Sequence, residues 1–281
     1  MEVFNLISDL QHYLAKRRQD GHPIGFVPTM GALHTGHRSL VERARRDSDV
    51  VVASIFVNPT QFNDTADLDK YPRTEEADLQ LLRGAGCDVV FLPSVEVMYP
   101  DGTEVSNPVD LGGLDEPMEG AQRPGHFAGV VQVVERLLRA VGPDLLFMGQ
   151  KDFQQTAIVR RLIEVRALPV ELIICPTVRA ADGLAMSSRN VRLNEYERQH
   201  ATLLYQTLSR VNRLKAVLSP PDLERMSLWA LGAHEFRPEY FKIVDGKTLR
   251  ELKTLEESDF PVACTAVWVG EVRLIDNMIL T

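Results

Sequence analysis

Apolar runs of strand length alternate with segments of helical period from Gly25 to Cys175. Asp49 to Val57 (DVVVASIFV) is almost wholly β-branched or apolar, which marks a strand buried on both faces of a parallel sheet rather than one arm of a half-exposed hairpin. Comparable runs lie at Gly25–Thr29, Cys87–Leu92, Leu145–Met148 and Val170–Cys175. Between them Leu40–Arg46, Glu75–Arg83, Val130–Ala140 and Thr156–Val165 carry apolar residues at the spacing of one helical face. This alternation predicts βαβ crossovers and an α/β fold: a doubly wound parallel sheet (Rossmann-like), whose ligand crevice lies beyond the carboxyl ends of the strands.

Past Pro176 the pattern changes. A loop at Ala180–Gly183 leads to a long polar helical pattern from about Asn194 to Val217. After Pro220-Pro221 come strand-like pieces at Tyr240–Val244, Val262–Val269 and Val272–Ile275. This predicts a smaller C-terminal α+β domain, with residues 1–176 in the first domain, 177–281 in the second, and the Gly183 loop as a hinge. A length of 281 residues suits two cores.

Charge narrows the partners. With 31 Lys and Arg against 39 Asp and Glu, the formal charge is −8, and no basic stripe is present to neutralise a polyphosphate backbone. The expectation is no nucleic-acid partner and a small anion as ligand. No apolar stretch is long enough to span a bilayer, so no membrane partner is expected either. Cys87, Cys175 and Cys264 are odd in number, far apart and without a Cys-x-x-Cys pattern, which predicts neither a disulfide framework nor a thiol redox motif and implies a cytoplasmic setting.

The chemistry begins at His34-Thr35-Gly36-His37, just after the Gly25–Thr29 strand. A turn at Met30-Gly31 and a helix opening near Gly36 put two imidazoles on one face of a helix N-terminus. There free N–H groups and the helix dipole favour a phosphate and disfavour imidazolium, so neutral rings donating to phosphoryl oxygens are expected. A half-made zinc site or two surface histidines are the plainer readings.

Four further segments point to the same crevice. Asn58-Pro59-Thr60-Gln61-Phe62 follows the strongest strand with neutral amides suited to hydroxyl and carboxylate oxygens, or with a simple loop cap. Arg123-Pro124-Gly125-His126-Phe127 precedes a helix and offers either anion contacts or turn residues. Gly149-Gln150-Lys151-Asp152-Phe153-Gln154-Gln155 follows another strand and opens a helix, with Lys151 suited to a phosphate. Met186-Ser187-Ser188-Arg189 brings two hydroxyls and a guanidinium.

Pro28–His37, Phe56–Phe62, Tyr71–Thr74, Arg123–Phe127, Gly149–Gln155, Asp182–Asn190 and the Arg273–Asn277 ending together resemble the pantothenate synthetase (pantoate–β-alanine ligase) family of the HIGH-motif nucleotidyltransferase superfamily, in order and in spacing. The resemblance implies an ATP-dependent ligase that condenses pantoate with β-alanine through pantoyl adenylate and releases AMP and pyrophosphate. It implies that His34, His37 and Lys151 are catalytic, with His37 the proton donor. Lys151, Ser187, Ser188 and Arg189 would hold the triphosphate, and Met30, Gly31, Gly149, Asp152, Val178 and Met186 would line the nucleotide site. Gln61 and Gln155, helped by Asn58, would hold pantoate, with Gln61 also close to β-alanine. Mg²⁺ would accompany ATP and be held in part by Asp78, and the chain would form a homodimer. Two positions depart from the family pattern: Ala77 stands beside Asp78 where a second acid is frequent, and Gln150 stands where Glu is frequent. A small-molecule nucleotidyltransferase is the runner-up, distinguished by keeping the nucleotide on its product. An aminoacyl-tRNA synthetase and a non-enzymatic nucleotide sensor are two more distant readings.

Overall fold

A strand with no charged side chain to turn to water needs cover on both faces, and β3 (Val50–Ile55) has every residue buried. In the computed structural model, which describes residues 1–62, 68–69, 71–104, 107–232 and 236–280, β3 lies inside a six-stranded sheet. Its companions are β1 (Glu2–Phe4), β2 (Ile24–Thr29), β4 (Val89–Phe91), β5 (Leu145–Gly149) and β6 (Glu171–Cys175), ordered β1-β4-β3-β2-β5-β6 with every pairing parallel. The helices in this part of the chain are α1 (Ile7–Gln19), α2 (Thr35–Asp47), α3 (Glu75–Gly84), α4 (Val95–Met98), α5 (Glu119–Gln122), α6 (His126–Val141) and α7 (Phe153–Val165). The doubly wound α/β fold expected from the alternation is the one observed. The alternation did not reveal β1, which is only three residues long, or α1, which buries only Leu10 and Leu14.

Sheet order explains where a ligand belongs. β2 pairs with β3 on one side and β5 on the other, so the chain winds outward in opposite directions from this pair. The loops leaving β2 and β5 therefore part from each other, and open α/β sheets bind ligands at such a split.

The chain divides into two compact units: Met1–Gly112, Arg123–Gly149 and Ile158–Pro176 form the first, and Gly113–Gln122, Gln150–Ala157 and Thr177–Thr281 the second. The second contains the antiparallel sheet β7 (Arg237–Asp245), β8 (Pro261–Val269) and β9 (Val272–Ile279), with α8 (Glu195–His200), α9 (Leu203–Leu214) and α10 (Pro220–Leu231). One core joins Leu204, Leu208, Val211 and Leu223 to Ile243, Ala263, Val267 and Leu274. A second joins Tyr240, Val244, Val262 and Cys264 to Met118, Phe153 and Ala157.

This differs from the expected division at residue 176 in two places, 113–122 and 150–157. The physical reason lies in the second unit: Arg273 Nη1 and Nη2 donate to Glu119 at 2.7 and 2.8 Å, Tyr240 donates to Glu119 at 2.7 Å, and Gln154 donates to the Leu114 and Pro117 carbonyls. Burial opposes the charge on Arg273, but Glu119 and Glu239 outweigh it and hold the guanidinium above its ordinary pKa. Burial pushes the Tyr240 phenol up, and the Glu119 carboxylate reinforces the shift.

Two local features also differ from expectation. The long helix predicted from Asn194 to Val217 is two helices, because Ala201 and Thr202 flatten to ψ −21° between α8 and α9. A helix the pattern did not reveal, α10, opens at Pro220-Pro221, where proline's fixed φ and missing N–H cost nothing, and Ser219 Oγ accepts from Asp222 N.

Candidate active site

In the first unit the site starts at the carboxyl end of β2. Gly31 at φ +81° and Ala32 at φ +49° bend the chain back on itself. Only glycine fits the first of these: its φ is left-handed, and a Cβ would stand 3.1 Å from Asp78 Oδ2 and 3.2 Å from Ile55. Asp78 fixes the bend, accepting from Ala32 N at 2.9 Å, Leu33 N at 2.7 Å and Thr74 Oγ1 at 3.1 Å while 2 % exposed.

The bend delivers His34 to the N-cap of α2. Its Nδ1 accepts from Gly36 N at 3.1 Å, and His37 Nδ1 accepts from His34 N at 3.3 Å. The ring centroids lie 4.1 Å apart, so the two imidazoles share one face as expected. An N–H directed at each Nδ1 leaves that nitrogen its lone pair, so each neutral ring carries its proton on Nε2. The backbone thereby selects the tautomer that presents Nε2–H as a donor.

Gln61 closes a 3₁₀ turn, Pro59–Gln61, after β3. Its Nε2 donates to Met30 Sδ, and its carbonyl accepts from His126 Nδ1 at 2.8 Å and Arg123 Nη2 at 3.2 Å. Arg123 and His126 thus brace this turn, a role the sequence left open between anion contact and turn residue. His126 has the opposite tautomer to His34 and His37, with its proton on Nδ1. Gly129 of α6 lets the helix approach, since a Cβ there would stand 2.3 Å from the Thr60 carbonyl.

Two expected ligand residues are buried and already hydrogen-bonded within the protein. Asn58 is 1 % exposed. Its Oδ1 accepts from Tyr99 at 2.7 Å, and its two amide hydrogens are shared among Thr60 Oγ1, Gln61 Oε1 and the Gly129 carbonyl, so its amide is engaged in shaping the turn that carries Gln61. Asp78 likewise does not fit a metal ligand, being buried with both oxygens held by N–H donors. Among the described residues no three His, Cys, Asp or Glu side chains form a metal-holding group. Sequence reasoning missed Tyr99, which lies 41 residues from the Asn58 it bonds.

Gly149 ends β5 in the first unit, and the remaining residues belong to the second. Lys151 and Asp152 lie in the 3₁₀ turn Gln150–Asp152, with Lys151 Nζ 3.7 Å from Asp152 Oδ1. Gln155 follows in the first turn of α7, half-buried, with no hydrogen bond from its side-chain amide among the described residues. Val178 and Met186 face each other across a hairpin, Met186 N donating to the Val178 carbonyl at 2.9 Å. Ser187 caps the 3₁₀ turn Ser188–Arg192, its Oγ accepting from Arg189 N at 3.3 Å. Ser187, Ser188 and Arg189 are all half-buried.

Known proteins resemble this chain along its whole length. The family model described as pantoate–β-alanine ligase matches residues 2–279. A pantothenate synthetase of Porphyromonas gingivalis is 48 % identical over 280 residues, covering 99 % of each chain. The crystal structure of pantothenate synthetase from Thermus thermophilus matches with a TM-score of 0.92 at 42 % identity, covering 100 % of this chain and 99 % of that one. A pantoate–β-alanine ligase from Francisella tularensis, complexed with β-γ ATP and β-alanine, matches with a TM-score of 0.82 at 34 % identity, covering 100 % and 98 %. With its helix-capping histidine pair at the switch point of the sheet and this likeness from end to end, the chain belongs to the pantoate–β-alanine ligase family.

Proposed function

We propose that this chain condenses pantoate with β-alanine in two steps driven by ATP. A pantoate carboxylate oxygen attacks the α-phosphorus, the bond to the leaving pyrophosphate breaks, and pantoyl adenylate forms. The β-alanine amine then attacks the acyl carbon, the bond to AMP breaks, and the amine's proton is lost as the amide forms. Neither step needs a protein nucleophile; both need positioning and charge stabilisation.

The observation that carries this reading is the pair of backbone N–H contacts that occupy Nδ1 of His34 and of His37. Two Nε2–H donors on one face of a helix N-terminus suit the phosphoryl oxygens on which charge accumulates, and neutral rings suit the positive end of the dipole. Lys151, with Ser187, Ser188 and Arg189, would neutralise the triphosphate in the first step. Met30, Gly31, Gly149, Asp152, Val178 and Met186 would line the nucleotide. Gln61 and Gln155 would bind pantoate, and Asn58 would act through Gln61. Mg²⁺ would enter on ATP, as part of that substrate, rather than on Asp78.

The resemblance also supports a homodimer, which analytical ultracentrifugation tests, and a cytoplasmic setting, in keeping with three buried free thiols. The deciding assay for the reaction supplies ATP, Mg²⁺ and pantoate without β-alanine. About one pyrophosphate per site in a burst, with pyrophosphate–ATP exchange that requires pantoate, is expected. Exchange that appears only when β-alanine is present would overturn the adenylate.

A further inference from the structure

The Arg273–Asn277 ending carries side chains that the proposed reaction does not use. Asn277 is 2 % exposed. Its Nδ2 donates to the Gln150 carbonyl at 2.9 Å and to the Lys151 carbonyl at 2.8 Å, while its Oδ1 accepts from Gln150 Nε2 at 3.1 Å. A single primary amide thus saturates itself on the two residues that open the Lys151 turn. The chemistry calls for an amide: two successive carbonyls need two donors from one group, which a carboxylate cannot supply.

The preceding residue faces the other way. Side chains alternate along β9, so Ile275 and Ile279 reach the core around Phe153 while Leu274 and Met278 reach the core around Leu204. Asp276, 3 % exposed, accepts Arg179 in a fork at 2.6 and 2.9 Å, and its Oδ1 also accepts from Asn277 N at 2.8 Å. Arg179 stacks on Tyr205 at 4.6 Å and sits in the hairpin whose second arm runs through Met186 into Ser187. Two adjacent residues of one strand therefore hold two segments from opposite faces of the sheet. One segment bears Lys151, the other leads into Ser187-Ser188-Arg189.

We propose that Asn277 is a positioning residue for Lys151, fixing its turn to β9 so that the ammonium is set in place before ATP binds. Asp276 and Arg179 tie the same strand to the hairpin before Ser187, so both triphosphate-binding segments share one rigid support. This rests on the assignment of Lys151 to the triphosphate. A side chain in a turn adds electrostatic stabilisation only if its backbone does not need to reorganise as charge develops, and a displacement of about 1 Å costs about 100-fold.

The test uses the full chain carrying Asn277→Ala, Asn277→Asp, Lys151→Ala and the double variant Asn277→Ala/Lys151→Ala. Pantoate-dependent pyrophosphate–ATP exchange should fall about 10- to 100-fold in both Asn277 variants, as for other residues that orient a reacting group. The KM for pantoate and the attack of β-alanine on supplied pantoyl adenylate should stay nearly unchanged, because the pyrophosphate has then gone. The double variant should lose little beyond Lys151→Ala, since Asn277 acts through that residue. Gln150→Ala, which removes one of the three hydrogen bonds, should give a smaller loss of the same kind, and it serves where the Asn277 variants fail to fold. Equal losses in both half-reactions, or fully additive losses in the double variant, would show a merely structural role and overturn the proposal. Normal exchange in both Asn277 variants beside impaired Lys151→Ala would overturn it too, while sparing the triphosphate assignment. Normal exchange in Lys151→Ala would overturn both.

Discussion

The segments around His34–His37 and around Lys151 look alike in outline, each following a parallel strand and opening a helix, yet they are held in different ways. The histidine pair makes capping contacts that span at most three residues, and Asp78 secures the bend before it from the first turn of α3. The Lys151 turn accepts two hydrogen bonds from Asn277 and donates one to it, across 126 or 127 residues. The first segment presents neutral donors whose tautomer the backbone sets. The second presents a charge on a long, rotatable stem, and rigidity there has to come from a remote strand. Donors of the first kind need one turn of helix and a single distant clamp on the bend before it, whereas a cation of the second kind takes its support from a remote strand.

The sharpest way to break this contrast is Lys151→Ala. It should cost about 2 to 4 kcal/mol of transition-state stabilisation in adenylate formation, the scale of one preorganised electrostatic contact, with little change in the melting curve. Single-turnover rates for each half-reaction check it, and an equal loss in both would take the triphosphate away from Lys151.

Next in size is Asp78→Asn. The amide turns a donor toward N–H groups that the carboxylate accepted, so about 3 kcal/mol of stability should be lost, read as a lower Tm. The Mg²⁺ concentration giving half-maximal activity should not move. If it rose while Tm held, Asp78 would be a metal ligand after all, and the histidine bend would need another support.

The smallest effects separate the two glutamines. Gln61→Ala and Gln155→Ala should each cost about 1 to 3 kcal/mol in kcat/KM for pantoate and leave ATP binding nearly intact. Only Gln61→Ala should also lower Tm, because its amide already bonds Met30 and Asn58, whereas that of Gln155 bonds nothing among the described residues. Titration with pantoate and ATP separately, beside melting curves, reads both effects. A Gln155→Ala chain that binds pantoate normally would remove that residue from the substrate site.

What depends on near neighbours was legible in the order of residues alone. Period and apolar run length gave the α/β alternation and the parallel sheet, since a strand such as Val50–Ile55 has only one way to be satisfied. The His34–His37 spacing gave two rings on one face of a helix N-terminus, because contacts across three residues follow from helix geometry. Whatever joins distant segments had to wait for the folded chain. The bonds of Asn58 with Tyr99 and Gly129, and of the Ala32 and Leu33 amides with Asp78, join segments far apart in the sequence. Residues 113–122 and 150–157 pass for parts of the first domain until Glu119 meets Arg273 and Phe153 enters the core beside Tyr240. Asn277 shows the limit most clearly: its partners lie 126 and 127 residues away, and a contact across that separation exists only once the chain has folded.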